Sequence, residues 1–186
     1  MTSIDLNADL GETVAAVGTP ATVTAQLHAL ADAGADVRYV KPHGALYHAV
    51  TADVDQADAV VAAIAALAER LGRPLPVLGL RGEIERAARV AGLPFVLEAF
   101  LDRGYLADGS LVPRGVTGAL LHEPAQVADR ALRLAREGVV EAADGTPVRV
   151  DAASLCVHGD SPDAVAMARA VRAALDADGI EVRAPW

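Results

Sequence analysis

The sequence predicts an α/β fold built on a parallel sheet. Short β-like runs alternate with Ala-rich helical stretches along the chain, and acids, imidazoles and cations collect where those β-like runs end. Alternation of this kind implies parallel strands joined by helical crossovers, in an open layer or a barrel. Apolar residues make up 53% of the 186 but aromatics only 3%, so the core is built mainly from Ala, Val and Leu.

Taken in order, Ser3–Ala8 reads as a buried strand with polar residues at its carboxyl end. A helix fits Ala21–Ala33, with Gly34 as its stop. Val37–Lys41 reads as the next strand, broken sharply by Pro42-His43-Gly44. Asp53–Leu71 has apolar residues at helical spacing and stops at Gly72. Leu75–Leu80 is a strand, Glu83–Ala91 a helix and Pro94–Phe100 a strand.

Asp102–Gly115 is a polar, Gly-rich loop, longer than most connections in a compact domain. Gly118–Leu121 suits a short strand, and Glu123–Glu137 a helix ending at Gly138. Val139–Glu141 and Val148–Val150 flank Asp144-Gly145, a hairpin-turn signal. Ser154–His158 is the last clear strand, followed by a helix over Pro162–Asp176 and an extended Ile180–Val182. No linker, low-complexity tract or repeat divides the chain, so a single domain over 1–186 is expected.

Composition narrows the function classes. Sixteen basic against 25 acidic residues leave a charge of −9, and the single lysine is Lys41, which argues against nucleic acid and anionic lipid as partners. One cysteine, Cys156, excludes an intrachain disulfide and a Cys-based zinc knuckle; a buried structural thiol is its simplest role. The first residues have neither a basic nor an apolar leader region, and the apolar stretch Ala57–Leu67 is too short to span a bilayer. A soluble, cytoplasmic chain is expected.

In parallel α/β folds the active site lies at the carboxyl ends of the strands. Asp5, Asn7 and Asp9 alternate with apolar residues on the first strand, so they share one face; Glu12 follows. Such a cluster suits a general base, a magnesium-ATP ligand or a divalent-metal site, while Asp9 and Glu12 also suit a cap or turn. In Lys41-Pro42-His43-Gly44 the proline and glycine hold an ammonium and an imidazole at defined positions, able to neutralise an oxyanion and move a proton. His158-Gly159-Asp160 has a similar form, and Arg103, Tyr105 and Arg114 lie in the long loop, where an arginine fork suits a carboxylate or phosphate. His28, His48 and His122 lie in or beside helices and read as surface residues. Neither Gly-x-x-x-x-Gly-Lys-Ser/Thr nor Gly-x-Gly-x-x-Gly occurs, nor a Gly-x-Ser-x-Gly elbow.

Five stretches, in this order, resemble the LamB/YcsF family: Ile4–Glu12, Val37–Tyr47, Leu75–Leu80, Asp102–Arg114 and Cys156–Asp160. The family's characterised bacterial members are the A-type subunits of an ATP-dependent 5-oxoprolinase. The resemblance implies a parallel β/α barrel of the seven-stranded, deacetylase-like type. It also implies cleavage of 5-oxo-L-proline to L-glutamate with ATP, with Mg, and with two partner subunits. In that scheme Asp5 or Asp9 orients water or magnesium, Lys41 neutralises phosphate or oxyanion charge, and His43 or His158 moves the proton. Arg103 holds the substrate carboxylate, and Asn7, Glu12, Tyr105 and Asp160 complete the substrate contacts.

The chain departs from the family after Glu12. Family motifs of the form Cys-Gly-Phe-His-Ala-Gly-Asp and Gly-Ala-His-Pro-Ser are missing, because Thr13–Gly18 runs almost directly into the next helix. About two strands and their helix are absent on this reading, so the barrel is expected to be incomplete or open. An open edge favours a homo-oligomer or a covering partner. Two other readings follow: a metal-dependent deacetylase-like hydrolase with Asp9, His43 and His158 as ligands, and a non-catalytic remnant that binds partners.

Overall fold

The computed structural model describes residues 3–9, 20–160 and 163–184, with side chains from residue 23 onward. Glu12 lies outside the described residues, as do the side chains of Asp5, Asn7 and Asp9. The chain forms two compact units, one comprising residues 1–11 and 98–186 and the other residues 12–97.

The unit of residues 12–97 is mainly helical. It holds α1 (Pro20–Asp32), α2 (Gly44–Ala52), α3 (Val54–Leu71), β2 (Val77–Gly79) and α4 (Glu83–Val90). The other unit opens with β1 (Ser3–Asp9). Helix α3 starts where the Asp53 carboxylate accepts the Gln56 N–H at 3.0 Å, and stops at Gly72, whose φ of 66° is left-handed. Its inner face places Val60, Ile64 and Leu67 in a core with Val50, Val77 and Ile84. Strand β3 (Phe95–Phe100) is divided between the units, and its residues Phe95–Leu97 pair in parallel with β2.

Two local expectations are corrected here. Val37–Lys41 is not a strand: only Val40 forms a bridge, to Val77. Val37 is committed elsewhere, its N–H to Ala35 O and its carbonyl to the Arg73 guanidinium. Helix α2 is not expected from sequence, since Gly44–Ala52 has no side-chain cap, no acid in its first turn and only nine residues.

In the other unit, Glu98–Phe100 of β3 pair with β6 (Ser154–His158), β6 with β1, and β1 with β7 (Glu181–Val182), all in parallel. The register sets Glu98 opposite Ser154 and Ser154 opposite Asp5; Phe100, Cys156 and Asn7 form the next row, and His158 pairs with Asp9. Helix α5 (Pro124–Glu137) packs on α6 (Ala164–Ala177), burying Val127, Ala131 and Leu134 on one and Met167, Val171 and Leu175 on the other. Between α5 and β6, β4 (Val139–Glu141) and β5 (Pro147–Arg149) form the expected hairpin, with the Asp144 carboxylate accepting the Thr146 N–H in its turn. Gly118–Leu121, expected as a strand, contributes only Leu120, bridged to Arg103.

The parallel α/β class stands, but the seven-stranded barrel does not appear among the described residues. Among the described residues the sheet is not closed: β7 pairs only with β1, and beyond β2 there is only the single bridge to Val40. A two-residue edge strand offers little for another chain to pair with.

Candidate functional site

Strand β3 ends at Phe100 while β6 continues to His158, so the His158 N–H has passed the end of the ladder. The Asp102 carboxylate takes its place, accepting that N–H at 3.2 Å. Both Asp102 oxygens also lie 2.9 Å from Nδ1 of the His158 ring. The two side chains are 4% and 7% exposed, respectively, so the contact is shielded from water. The Phe100 ring stacks on the imidazole at 5.1 Å and 11°, closing one of its faces.

Burial acts to raise the Asp102 carboxyl, but hydrogen bonds and charge from His158 outweigh it and hold the group below the usual carboxylate range. An ionised Asp102 accepts Nδ1–H, so whenever the ring is neutral this contact favours the tautomer with Nε2 as the acceptor nitrogen. Nε2 has no hydrogen-bond partner among the described residues. The pair therefore has the form of an oriented proton-transfer group.

The residues after Asp102 build the frame. Arg103 is 2% exposed, and its guanidinium donates to Ala119 O at 3.2 Å and Val112 O at 2.8 Å. Tyr105 is fully buried; its hydroxyl accepts the Phe100 N–H at 2.8 Å. Burial pushes the Tyr105 phenol well above its ordinary value, so it stays neutral. Both residues hold the loop together, where the sequence suggested substrate contacts. Gly104 is required at its position, because a Cβ there would lie 2.0 Å from Gly118 O. Asp160 is exposed and pairs with Arg114 at 3.7 Å.

Sequence reasoning misses two acids. Loop position favours Arg103 over its neighbour Asp102, although Asp102 stands two positions beyond Phe100, in phase with that residue. Glu98, fully buried on the same strand, looks like an ordinary strand residue; a carboxylate two positions before Phe100 on a parallel strand was the available signal. Cys156 is buried, as expected.

Lys41 and His43 belong to the unit of residues 12–97. Lys41 is half-buried just after the Val40 bridge; His43 is exposed at the N-cap position of α2 and makes no side-chain cap bond. His48 and His122 are exposed as expected, whereas His28 is half-buried with its Nε2 covered. No group of three or more His, Cys, Asp or Glu suited to a metal occurs among the described residues.

The LamB/YcsF family profile matches residues 16–186. The chain belongs to the LamB/YcsF family. A relative from Streptomyces griseus, named as the A-type subunit of 5-oxoprolinase, is 55% identical over 154 residues, which are 82% of this chain and 60% of that protein. One of the same name from Mycobacterium leprae is 45% identical over 186 residues, 97% of this chain and 69% of the relative. The crystal structure of a lactam utilization protein from Thermus thermophilus superposes with a TM-score of 0.79 at 42% identity, covering 91% of this chain and 69% of that one. The chain thus spans 60% of the length of the Streptomyces griseus relative.

Proposed function

We propose that the chain is the A-type subunit of an ATP-dependent 5-oxoprolinase, a cyclic amide hydrolase that converts 5-oxo-L-proline to L-glutamate in the cytoplasm with two partner subunits. The names of the family relatives support the substrate class. The observation that carries the reading at the level of chemistry is the shielded His158–Asp102 contact at a strand end.

A five-membered lactam is unactivated and its closure is favourable, so opening needs coupling. Transfer of the ATP γ-phosphoryl group to the lactam oxygen would make the ring carbon electrophilic and the nitrogen a better leaving group. Water then adds to that carbon, the C–N bond breaks, and hydrolysis releases phosphate and glutamate. His158 Nε2 takes the proton from water and delivers one to the departing nitrogen, with Asp102 stabilising the imidazolium between the two steps. Lys41 neutralises phosphoryl or oxyanion charge, and the β1 carboxylates Asp5 and Asp9 are of the type that suits magnesium arriving with ATP.

The test is glutamate and ADP formation from 5-oxoproline and ATP, with the chain mixed with its two partner subunits. Equimolar products support the reading. No turnover from a folded chain, with a full-length relative active in the same mixture, would sink it and favour a partner-binding remnant.

A second reading draws on the same contact. An imidazole whose Nδ1–H is held by a carboxylate is also how a metal-ligating histidine is oriented, with Nε2 to the ion. A deacetylase-like hydrolase using Asp9, His43 and His158 requires stoichiometric metal in protein purified without added ions. Metal-free protein that turns over 5-oxoproline removes that reading.

A further inference from the structure

Helix α5 reaches the strand end through one long side chain. Nη1 of Arg130 donates to Leu101 O at 3.3 Å and also to Arg103 O, the carbonyls on either side of Asp102. The Asp102 carbonyl itself accepts the Leu121 N–H at 2.9 Å. Three successive peptide carbonyls are thus tied down just past the end of β3. Beyond Phe100 the Leu101 N–H still donates to Cys156 O of β6 at 2.9 Å, and the segment then makes the bridges Arg103–Leu120 and Tyr105–Leu111.

A second route leads from the same guanidinium. Its carbon lies 5.7 Å from the centroid of the Tyr105 ring, the Tyr105 hydroxyl takes the Phe100 N–H, and Phe100 stacks on His158. Burial costs Arg130 part of its ordinary basicity, while Tyr105, Asp102 and Glu141 act in the opposite direction. Keeping a cation here is expensive if packing alone is needed, since apolar replacements of buried charges are often neutral or stabilising.

We propose that Arg130 is a positioning residue: by pinning the carbonyls flanking Asp102, it sets where that carboxylate meets Nδ1 of His158. The catalytic consequence rests on the proton-transfer role given to His158 above; the positioning itself does not. One nitrogen makes both carbonyl contacts, so an ammonium can replace it, whereas a thioether cannot.

The test has two arms. In the isolated chain, nitrogen NMR of labelled histidine in mildly alkaline buffer reads the His158 tautomer, with the signal assigned by its loss in His158→Gln. The wild type should show the Nδ1-protonated form alone, Arg130→Met a mixture, and Arg130→Lys the single form again. In the assembled enzyme, Arg130→Met should lower kcat about tenfold or more with KM for the lactam within about twofold. Combined with Asp102→Asn it should add nothing to the loss from Asp102→Asn alone, because both act through one contact.

A folded Arg130→Met with the wild-type tautomer and kcat overturns the proposal, and so do losses that multiply in the double variant. Should Arg130→Met not fold, Arg130→Gln, whose amide reaches one carbonyl, takes its place with the same expected and overturning results. If the wild-type assembly turns over no 5-oxoproline, the functional reading fails while the tautomer measurement still decides the role of Arg130.

Discussion

Nδ1 of His158 lies 2.9 Å from both carboxylate oxygens of Asp102, joining residues 56 positions apart in the chain. The contact is bidentate on the acid's side, and the same carboxylate also accepts the His158 backbone N–H. Ring and backbone are therefore oriented by one group. Asp102→Asn keeps the shape but removes the charge that holds the tautomer and stabilises an imidazolium. We expect turnover of the assembled enzyme to fall by about 10²–10⁴-fold, the usual worth of a general acid–base group, with the native circular-dichroism spectrum retained. Near-wild-type turnover would remove the pair from the mechanism.

The same contact makes a pH prediction. Asp102 titrates lower in the folded chain than in the unfolded one, where an aspartate titrates near about 3.9. Its contribution to stability is thus fully present above that unfolded value and is lost as pH falls through the folded value. Urea midpoints of the wild type should decline below about pH 4 more steeply than those of Asp102→Asn. Parallel declines would show that the carboxylate contributes no proton linkage.

Tyr105→Phe leaves the Phe100 N–H without its acceptor in a fully buried place. A stability loss of about 1–3 kcal/mol is expected from urea unfolding. Of the three tyrosines, Tyr105 should also fail to ionise in an alkaline absorbance titration until the chain unfolds. An unchanged urea midpoint, or three tyrosines ionising together in folded protein, would contradict this account of the loop.

Gly104→Ala forces a methyl group onto Gly118 O, a backbone atom that cannot rotate away. The loop carrying Asp102 has to shift, at a cost of about 1–3 kcal/mol typical of overpacking, and turnover should fall with it. An Ala variant with wild-type stability and activity would mean that the approach of the two loop segments is looser than described.

Lys41→Ala and Asp9→Asn test the residues chosen from sequence alone. Each is expected to abolish turnover with the fold preserved, as read by circular dichroism. Full activity in either variant removes that residue from the chemistry.

Much of the fold was legible because it is written in local signals. Asp53 and Gly72 bracket α3, Asp144-Gly145 turns the β4–β5 hairpin, and Ser154–His158 forms β6 at the bounds its apolar run suggested. Helix α2 was not legible, since nine residues without a side-chain cap carry too little local preference. His158 is found from its place at a strand end, but its partner is not. Loop position alone makes Arg103 look like the working residue, yet its guanidinium turns inward to Val112 and Ala119 carbonyls.

By itself the sequence determined the α/β class, the order of most elements, the kinship to LamB/YcsF proteins and the ends of β1, β3 and β6 as places where polar residues gather. These follow from periodicity, turn chemistry and motif, all readable over a few neighbouring residues. The tertiary structure decided that Asp102 meets His158, that Arg103 and Tyr105 frame the loop, and that Arg130 reaches the carbonyls beside Asp102. Each depends on register and burial between segments distant in the chain. Only packing determines which charged side chain is desolvated and which polar group must satisfy it.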